Sequence, residues 1–301
     1  MQKIVPYLWL DNQAIEAAKF YASIFKDGKI KSQSQITDTP SGTVDMLSVE
    51  LSGYQIDMMS AGPLFKLNPS ISFMLNFDPS QDPQAREHLD ELWAKLSEGG
   101  KALMPLQEYP FSERYGWIED KFGMSWQLIL TKPDGEPRPF IIPSMLFVQE
   151  RAGQAEAAID FYTSVFKATK RGTTARYPEG AEPDKAGTIM FADFMLDNQW
   201  FAAMDSAHNH QFIFNEALSL VVYCEDQAEI DYYWDKLSAV PESEQCGWLK
   251  DKFGVSWQIV PRAMDAMLKG DNRERINRVT QAFLPMKKID LAKLQEAYDQ
   301  A

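Results

Sequence analysis

Apolar and polar residues follow two periods along this chain, and the periods succeed one another in a fixed order. Residues 4–10 are mostly apolar, as in a buried strand, and residues 12–25 then place apolar side chains at the spacing of one helix face. Alternation with a period of two returns over residues 44–51 and 54–59, with Ser52-Gly53 between them as a tight turn. This order is interpreted as a β-α-β-β-β module, in which the pattern marks three of the four strands.

The same order recurs, so the chain is predicted to hold four such modules. The second comprises a helix over residues 83–97 and strands over residues 71–77, 103–107, 115–119 and 126–130. The third and fourth comprise helices over residues 154–166 and 227–237 and strands over residues 141–148, 186–196, 199–204, 218–224 and 257–260. We predict an α+β fold.

Long stretches of the sequence are near copies of each other. Residues 116–128 read GWIEDKFGMSWQL and residues 247–259 read GWLKDKFGVSWQI, with nine residues shared in order. Residues 17–26 match residues 158–167 in the same way. The chain is therefore interpreted as two homologous halves, each of two modules.

Domain boundaries follow from this repeat. We predict domains at residues 1–132 and 140–262, joined by a short, stiff connector at residues 131–139 that holds three prolines. A tail at residues 263–301 follows, in which Gly270 and Pro285 separate predicted helices over residues 263–268, 273–283 and 289–298. We expect the tail to pack on the second domain or on a partner subunit.

One loop differs between the halves. The first half carries 18 residues between Ser97 and Gly116, where the second carries 8 between Ser238 and Gly247. This difference predicts two unequal cavities, the second more open.

Composition narrows the classes of function. The chain has 43 acidic and 30 basic residues among 301, a net charge of −13, which argues against binding to nucleic acids or anionic membranes. No apolar run approaches the roughly 20 residues that span a bilayer. Two cysteines, Cys224 and Cys246, fit a reducing compartment, and we expect neutral thiols in a cytoplasmic protein.

The modules and the repeated Asp-Lys-Phe-Gly-x-Ser-Trp-Gln segment resemble the PhnB-like, demethylubiquinone methyltransferase-like branch of the glyoxalase and bleomycin-resistance (vicinal oxygen chelate) superfamily. The match is also carried by Phe20-Tyr21, Phe161-Tyr162, and residues 105–109, 245–248 and 286–290. The resemblance implies paired modules whose sheets curl around a ligand cavity, and two domains that pair within one chain. It implies no single reaction, because the superfamily hosts isomerases, dioxygenases, transferases and drug-binding proteins.

Enzymes of this superfamily usually hold a divalent metal, so the resemblance also implies where ligands would stand. The last-strand Glu position falls on Gln127 and Gln258, and the first-strand His position falls near Pro6 and Ser144. These residues are weak ligands, and the three histidines lie on a helix face or in a loop: His88, His208 and His210. We predict no metal site and, without a Gly-rich strand-to-helix turn, no S-adenosylmethionine site.

Aromatic and sulfur-containing residues on the predicted strands suit an apolar cavity. We expect the repeated tryptophans to pack in the core, and Gln127 and Gln258, which alternate with Trp126 and Trp257, to face the opposite side. The predicted ligand-binding residues are Trp9, Asp57, Met59, Ser72, Gln127, Met204, Asp205, Ser219 and Gln258.

Three functions stay open at this point. The preferred one is binding of a small, partly apolar molecule without a catalytic metal or other cofactor. The alternatives are a metal-dependent enzyme with an atypical site, of lyase, isomerase or methyl-transfer type, and a structural role in assembly. Whether the protein is an enzyme, and whether it forms a homodimer, is left open.

Overall fold

The computed structural model describes residues 2–132, 136–269 and 272–300. The first module holds β1 (Ile4–Leu10), α1 (Ala14–Ile24), β2 (Lys29–Thr39), β3 (Gly42–Leu51) and β4 (Tyr54–Ser60). The second holds β5 (Ile71–Phe77), α2 (Ala85–Ser97), β6 (Lys101–Tyr109), β7 (Ser112–Glu119) and β8 (Ser125–Leu130). Residues 133–135 of the predicted connector and the predicted break at Gly270 lie outside the described residues.

The third module repeats this order and the fourth shortens it. The third holds β9 (Ile141–Phe147), a 3-10 turn (Gln149–Arg151), α3 (Ala155–Val165), β10 (Lys170–Arg176), β11 (Ile189–Leu196) and β12 (Gln199–Asp205). The fourth holds β13 (Leu218–Cys224), α4 (Gln227–Leu237), a 3-10 turn (Pro241–Ser243), β14 (Trp248–Lys250) and β15 (Ser256–Pro261). The tail holds α5 (Arg262–Met267), α6 (Arg273–Phe283) and α7 (Leu291–Asp299). The α+β fold is confirmed.

The strands form two mixed sheets. The first, sheet A, has the order β14-β15-β13-β1-β4-β3-β2, and the second, sheet B, has the order β10-β11-β12-β9-β5-β8-β7-β6. In each sheet the opening strands of two modules pair antiparallel at the centre, β1 with β13 and β5 with β9. Backbone hydrogen bonds between these strands therefore join a module of the first half to a module of the second.

The compact units of the chain differ from the two halves of the repeat. Unit 1 comprises Met1–Ser23, Asp27–Lys66 and Phe214–Ala301, and unit 2 comprises Ile24–Lys26 and Leu67–Ile213. The outer modules thus build unit 1 and the inner modules build unit 2. The boundaries predicted for residues 1–132 and 140–262 delimit the repeat in the sequence, whereas the pairing of β1 with β13 sets the compact unit.

One face of sheet A packs against α4. The helix begins at Asp226, whose side chain accepts a hydrogen bond from the backbone N–H of Glu229, and it buries a stripe at Ile230, Tyr233, Trp234 and Leu237. Because side chains alternate along a strand, Trp257 shares this helix-facing side of β15, and Gln258 points to the other side. The opposite face of sheet A is left for the tail.

The repeated Asp-Lys-Phe-Gly-x-Ser-Trp-Gln segment forms a turn that is closed by its own aspartate. The Asp251 carboxylate accepts hydrogen bonds from the backbone N–H groups of Phe253 and Val255 and, at 2.8 Å, from the indole N–H of Trp257. Asp120 does the same for its own copy of the motif, with the indole of Trp126 at 2.8 Å. The sequence signature is therefore a folding element that locks a buried tryptophan to a turn.

The tail takes the place of the strand that the fourth module lacks. The backbone N–H of Cys246 donates to the carbonyl of Met286, and that of Gly247 donates to the carbonyl of Lys287. Helix α6 places Ile276, Val279 and Phe283 in one core with Ile36 and Val44 of sheet A, among others. The tail thus packs within unit 1, on strands from both halves of the chain.

Among the described residues, no helix is both long and apolar enough to cross a membrane.

Candidate functional site

A cavity of about 160 Å³ lies in unit 1 between sheet A and the tail. For comparison, an engineered apolar cavity of about 150 Å³ in another protein binds benzene. The volume therefore suits a molecule built on one six-membered ring. The apolar part of its wall comes from the sheet and from the tail: Ile36, Met46, Met59, Val221, Trp248, Val260, Met264, Leu268 and Phe283.

The carboxylate of Asp57 on β4 lines the cavity from the sheet. Its side chain is buried, with 5% of its surface exposed. One oxygen accepts a hydrogen bond from the Tyr223 hydroxyl at 2.8 Å, and the other accepts one from the Gln55 amide at 2.9 Å. Burial raises the pKa of Asp57 although these hydrogen bonds oppose the shift, and the nearby negative charge of Asp265 raises the pKa further.

Two tyrosines flank Asp57 on the neighbouring strands. Tyr7 on β1 is paired in register with Asp57, and Tyr223 on β13 reaches the same carboxylate across β1. Burial, and after it the charge of Asp57, raises the pKa of both phenols, so both stay protonated at neutral pH. The Tyr7 hydroxyl lines the cavity without a hydrogen-bond partner among the residues the structure describes.

Gln258 on β15 contributes an amide to the same cavity. Its Nε2 donates to the Ser219 hydroxyl at 2.9 Å, which fixes the amide. In sheet B the matching Gln127 donates to Ser72 at 2.6 Å, and its Oε1 accepts from the Tyr115 hydroxyl at 2.9 Å. The two glutamines are therefore held in the same way but differ in how their oxygens are satisfied.

Cys246 stands at the position in the repeat that Tyr115 occupies in the other copy. Its thiol points to the carbonyl of Leu284 at 3.1 Å, and burial raises its pKa to about 11, so the thiol is neutral. Within the described part of the chain no donor then reaches Oε1 of Gln258. In unit 1 the Oε1 of Gln258 is thus open to a ligand, whereas in unit 2 the Tyr115 hydroxyl donates to the matching oxygen of Gln127.

The predicted binding residues fall into two sets. Asp57, Met59 and Gln258 line the cavity of unit 1. Ser219 holds Gln258, and Trp9 packs edge-on against Trp248 and donates its indole N–H to the carbonyl of Gly62.

The other predicted residues lie in unit 2, where three of them form hydrogen bonds within the unit. Ser72 and Gln127 bond to each other, and Met204 lies on β12, on the same face as Trp200 and Ala202. Asp205 accepts hydrogen bonds from the backbone N–H groups of Gly153 and Ala155, at 2.7 and 3.0 Å, so its carboxylate caps the start of α3.

Sequence reasoning missed several cavity residues. Tyr7 and Tyr223 lie among apolar residues, and on the sheet edge Ser32 and Ser34 carry no functional signature. The alternation of Val5, Tyr7 and Trp9 could have placed Tyr7 on the face of Asp57.

The positions at which the fold implies metal ligands carry weak donors in unit 1. Next to Pro6, the cavity-facing residue is Tyr7, whose protonated phenol is a poor ligand. Asp57 is the sole carboxylate on the described sheet part of the lining, where the other polar groups are neutral hydroxyls, the Gln258 amide and the Cys246 thiol. No group of three or more His, Cys, Asp or Glu side chains in the described residues could hold a metal ion. This donor set does not fit a divalent metal.

Asp57→Asn is expected to stabilise the ligand-free protein at neutral pH. Because burial raises the pKa of Asp57 in the folded state, ionisation favours the unfolded state. The stability that the protonated side chain of Asp57 contributes is complete below the ordinary pKa of about 4. It is lost as the pH rises through the raised pKa. The melting temperature of the variant should exceed that of the wild type at pH 7.5, and the difference should shrink towards pH 4. A less stable variant at pH 7.5 would contradict the assignment.

Comparisons with known proteins agree with the repeat. The family model described as 3-demethylubiquinone-9 3-methyltransferase matches the chain twice, over residues 2–129 and 139–260. No curated protein matches the chain.

Two solved structures illustrate the relatives. A PhnB protein from Bacillus cereus, by its description a candidate 3-demethylubiquinone-9 3-methyltransferase, is 31% identical and covers 43% of this chain and 100% of its own, with a TM-score of 0.39. Glyoxalase I from Zea mays is 11% identical and covers 86% of this chain and 94% of its own, with a TM-score of 0.51, a likeness of fold alone.

The two family matches divide the chain where the sequence repeat divides it, and together they take in most of its length. The chain therefore belongs to the 3-demethylubiquinone-9 3-methyltransferase family, as a tandem duplication.

Proposed function

We propose that this protein binds a small, partly apolar molecule in the cavity of unit 1. The observation that carries the proposal is the lining of that cavity, in which an apolar wall faces a few fixed polar groups. Met46, Met59 and Phe283 supply part of the wall, and Asp57 and Gln258 supply acceptors. A wall of this kind binds the body of a ligand, and a few placed acceptors orient it.

The contrast between the two units supports unit 1 as the binding site. In unit 2 the amide of Gln127 is satisfied on both sides, by Ser72 and by Tyr115. In unit 1 the oxygen of Gln258 has no such partner among the described residues. This oxygen faces the cavity, so a ligand that donates a hydrogen bond can bind to it.

Ser34→Phe is expected to weaken binding strongly. Ser34 lines the cavity from the edge strand β2, and a phenylalanine ring is about the size of the molecule that a cavity of about 160 Å³ accepts. Calorimetric titration of the full chain with toluene, benzyl alcohol, benzylamine and benzoate measures the effect. We expect saturable binding of at least one compound to the wild type, weakened about tenfold or more by Ser34→Phe, since filling the cavity removes the ligand's whole contact surface.

The matched control is Gln33→Phe. Gln33 precedes Ser34 on the same strand, and its exposed side chain points to the other face. This variant adds the same ring to the same strand, so it should bind as the wild type does. The proposal fails if none of the four compounds binds saturably, or if Ser34→Phe binds as well as Gln33→Phe.

A further inference from the structure

We propose that this cavity selects a small organic cation, a protonated amine on an apolar body, with Asp57 as its counter-ion. The inference rests on the proposed function. It further specifies that the ligand is positively charged and that Asp57 binds this charge.

Asp57 is a buried acid without a positive partner. Tyr223 and Gln55 donate neutral hydrogen bonds to it, and no Lys, Arg or His in the described part of the chain forms an ion pair with it. The charged group that acts on it is Asp265, which has the same sign. Burying a carboxylate in this way is unfavourable unless a cation accompanies it. A cationic ligand would supply that partner.

The other charges around the cavity leave it negative. Asp265 and Lys269, both on or just after α5, form an ion pair at 2.6 Å, so the lysine is neutralised where it stands. Arg262 lies 5.3 Å from the centre of the Tyr223 ring and pairs with Glu225 at 2.6 Å. Among the residues that the structure describes, the lining therefore holds two carboxylates, Asp57 and Asp265, against the single ammonium of Lys269.

The uncharged groups of the lining also favour a donor with positive charge. Oε1 of Gln258 accepts hydrogen bonds, and an ammonium offers up to three donors. The rings of Tyr7, Tyr223 and Trp248 line the same space, and aromatic faces attract cations.

The whole chain adds a field of the same sign. With a net charge of −13, the protein raises the local concentration of cations and lowers that of anions. A carboxylate ligand would meet both this field and Asp57, whereas an ammonium is attracted by both.

The test compares four probes of one size on the full-length protein by calorimetric titration at pH 7.5. Benzylamine carries an ammonium, benzyl alcohol a neutral donor, toluene no donor and benzoate a negative charge. We expect benzylamine to bind about tenfold or more tighter than benzyl alcohol, as charge-assisted hydrogen bonds are about twice as strong as neutral ones. Benzoate should bind most weakly of the four.

Asp57→Asn then tests whether Asp57 is the counter-ion of the ligand. It keeps the size of the side chain and removes the charge, so it should weaken benzylamine by about tenfold or more and change benzyl alcohol by less than about threefold. Asp45→Asn is the matched control: its carboxylate lies on the neighbouring strand β3 outside the cavity lining and accepts a hydrogen bond from Gln35, so the preference for benzylamine should survive.

The outcomes separate the two proposals. If toluene or benzyl alcohol binds and Ser34→Phe blocks it, but benzylamine binds no tighter, the cavity is a binding site and the cation inference is wrong. If benzylamine is preferred and Asp57→Asn keeps that preference, Asp57 is not the counter-ion and the inference is equally overturned. If no probe binds, both proposals fail. The comparison of the four probes on the wild type decides the charge preference without any variant.

Discussion

A chain that ends at Pro261 is expected to lose the cooperative unfolding of unit 1. The missing tail removes Ile276, Val279 and Phe283 from the core that they share with sheet A. Burying one such side chain is worth about 1.5–3 kcal/mol, so the loss is on the order of 5 kcal/mol or more. A typical domain has a total stability of about 5–15 kcal/mol. Urea unfolding compared with the full chain measures the loss.

The same truncation also uncovers backbone. The N–H groups of Cys246 and Gly247 lose the carbonyls of Met286 and Lys287, and they should exchange with solvent at the rate of an exposed strand edge. Hydrogen exchange at these two amides therefore separates a local loss of pairing from a global loss of stability.

Point variants on α6 calibrate the truncation. Phe283→Ala should cost about 3–5 kcal/mol, because its ring is buried in the shared core. Glu274→Ala, on the exposed side of the same helix, should change stability by less than about 0.5 kcal/mol. An unchanged midpoint for the chain that ends at Pro261, with Cys246 and Gly247 still protected, would mean that the tail does not belong to the core of unit 1.

Much of the local structure could be predicted from the sequence, because it depends on short-range patterns. The strand Leu218–Cys224 and the helices Gln227–Leu237 and Arg273–Phe283 agree with prediction to the residue. The sequence does not predict the edge strands β2 and β10, because most of their side chains are polar or exposed and carry no apolar period.

The sequence patterns do not predict which modules pair with each other. Equal modules carry equal apolar faces, so nothing in the repeat states whether the first module pairs with the second or with the fourth. That choice depends on long-range pairing of β1 with β13, which leaves no periodic signal. The missing loop of ten residues in the second half signalled a difference between the sites, but the segment that fills the gap, Met286 and Lys287, comes from the tail.

The candidate site was predictable in part for the same reason. Three predicted residues line the cavity: Gln258, which recurs in the repeat as Gln127, and Asp57 and Met59, which lie on a strand that the alternating pattern predicts. The contribution of Asp265 and Phe283 depends on how the tail folds back, which local patterns do not encode.

Trp257→Ala is expected to cost about 3–5 kcal/mol of unfolding free energy. The indole is fully buried, with 0% of its surface exposed, and its N–H is held by Asp251 at 2.8 Å. Removing the ring leaves a cavity and also deprives the buried carboxylate of a donor, so both losses act in the same direction. Trp126→Ala should behave alike, because Trp126 is equally buried and bonds Asp120 at the same distance. Denaturant unfolding of each variant measures the cost.

Trp257→Phe separates the two contributions. Phenylalanine keeps most of the apolar ring but has no N–H, so this variant should cost less than Trp257→Ala, and the remaining cost reports mainly the hydrogen bond to Asp251 and the smaller ring. If Trp257→Ala cost less than about 1 kcal/mol, the ring could not be packed as the structure has it. If instead Trp257→Ala and Trp126→Ala each lower the unfolding free energy by several kcal/mol, the Asp-Lys-Phe-Gly-x-Ser-Trp-Gln signature stabilises the fold. The chemistry of the site then rests on Gln258, Asp57 and the tail, where the copies of the repeat differ.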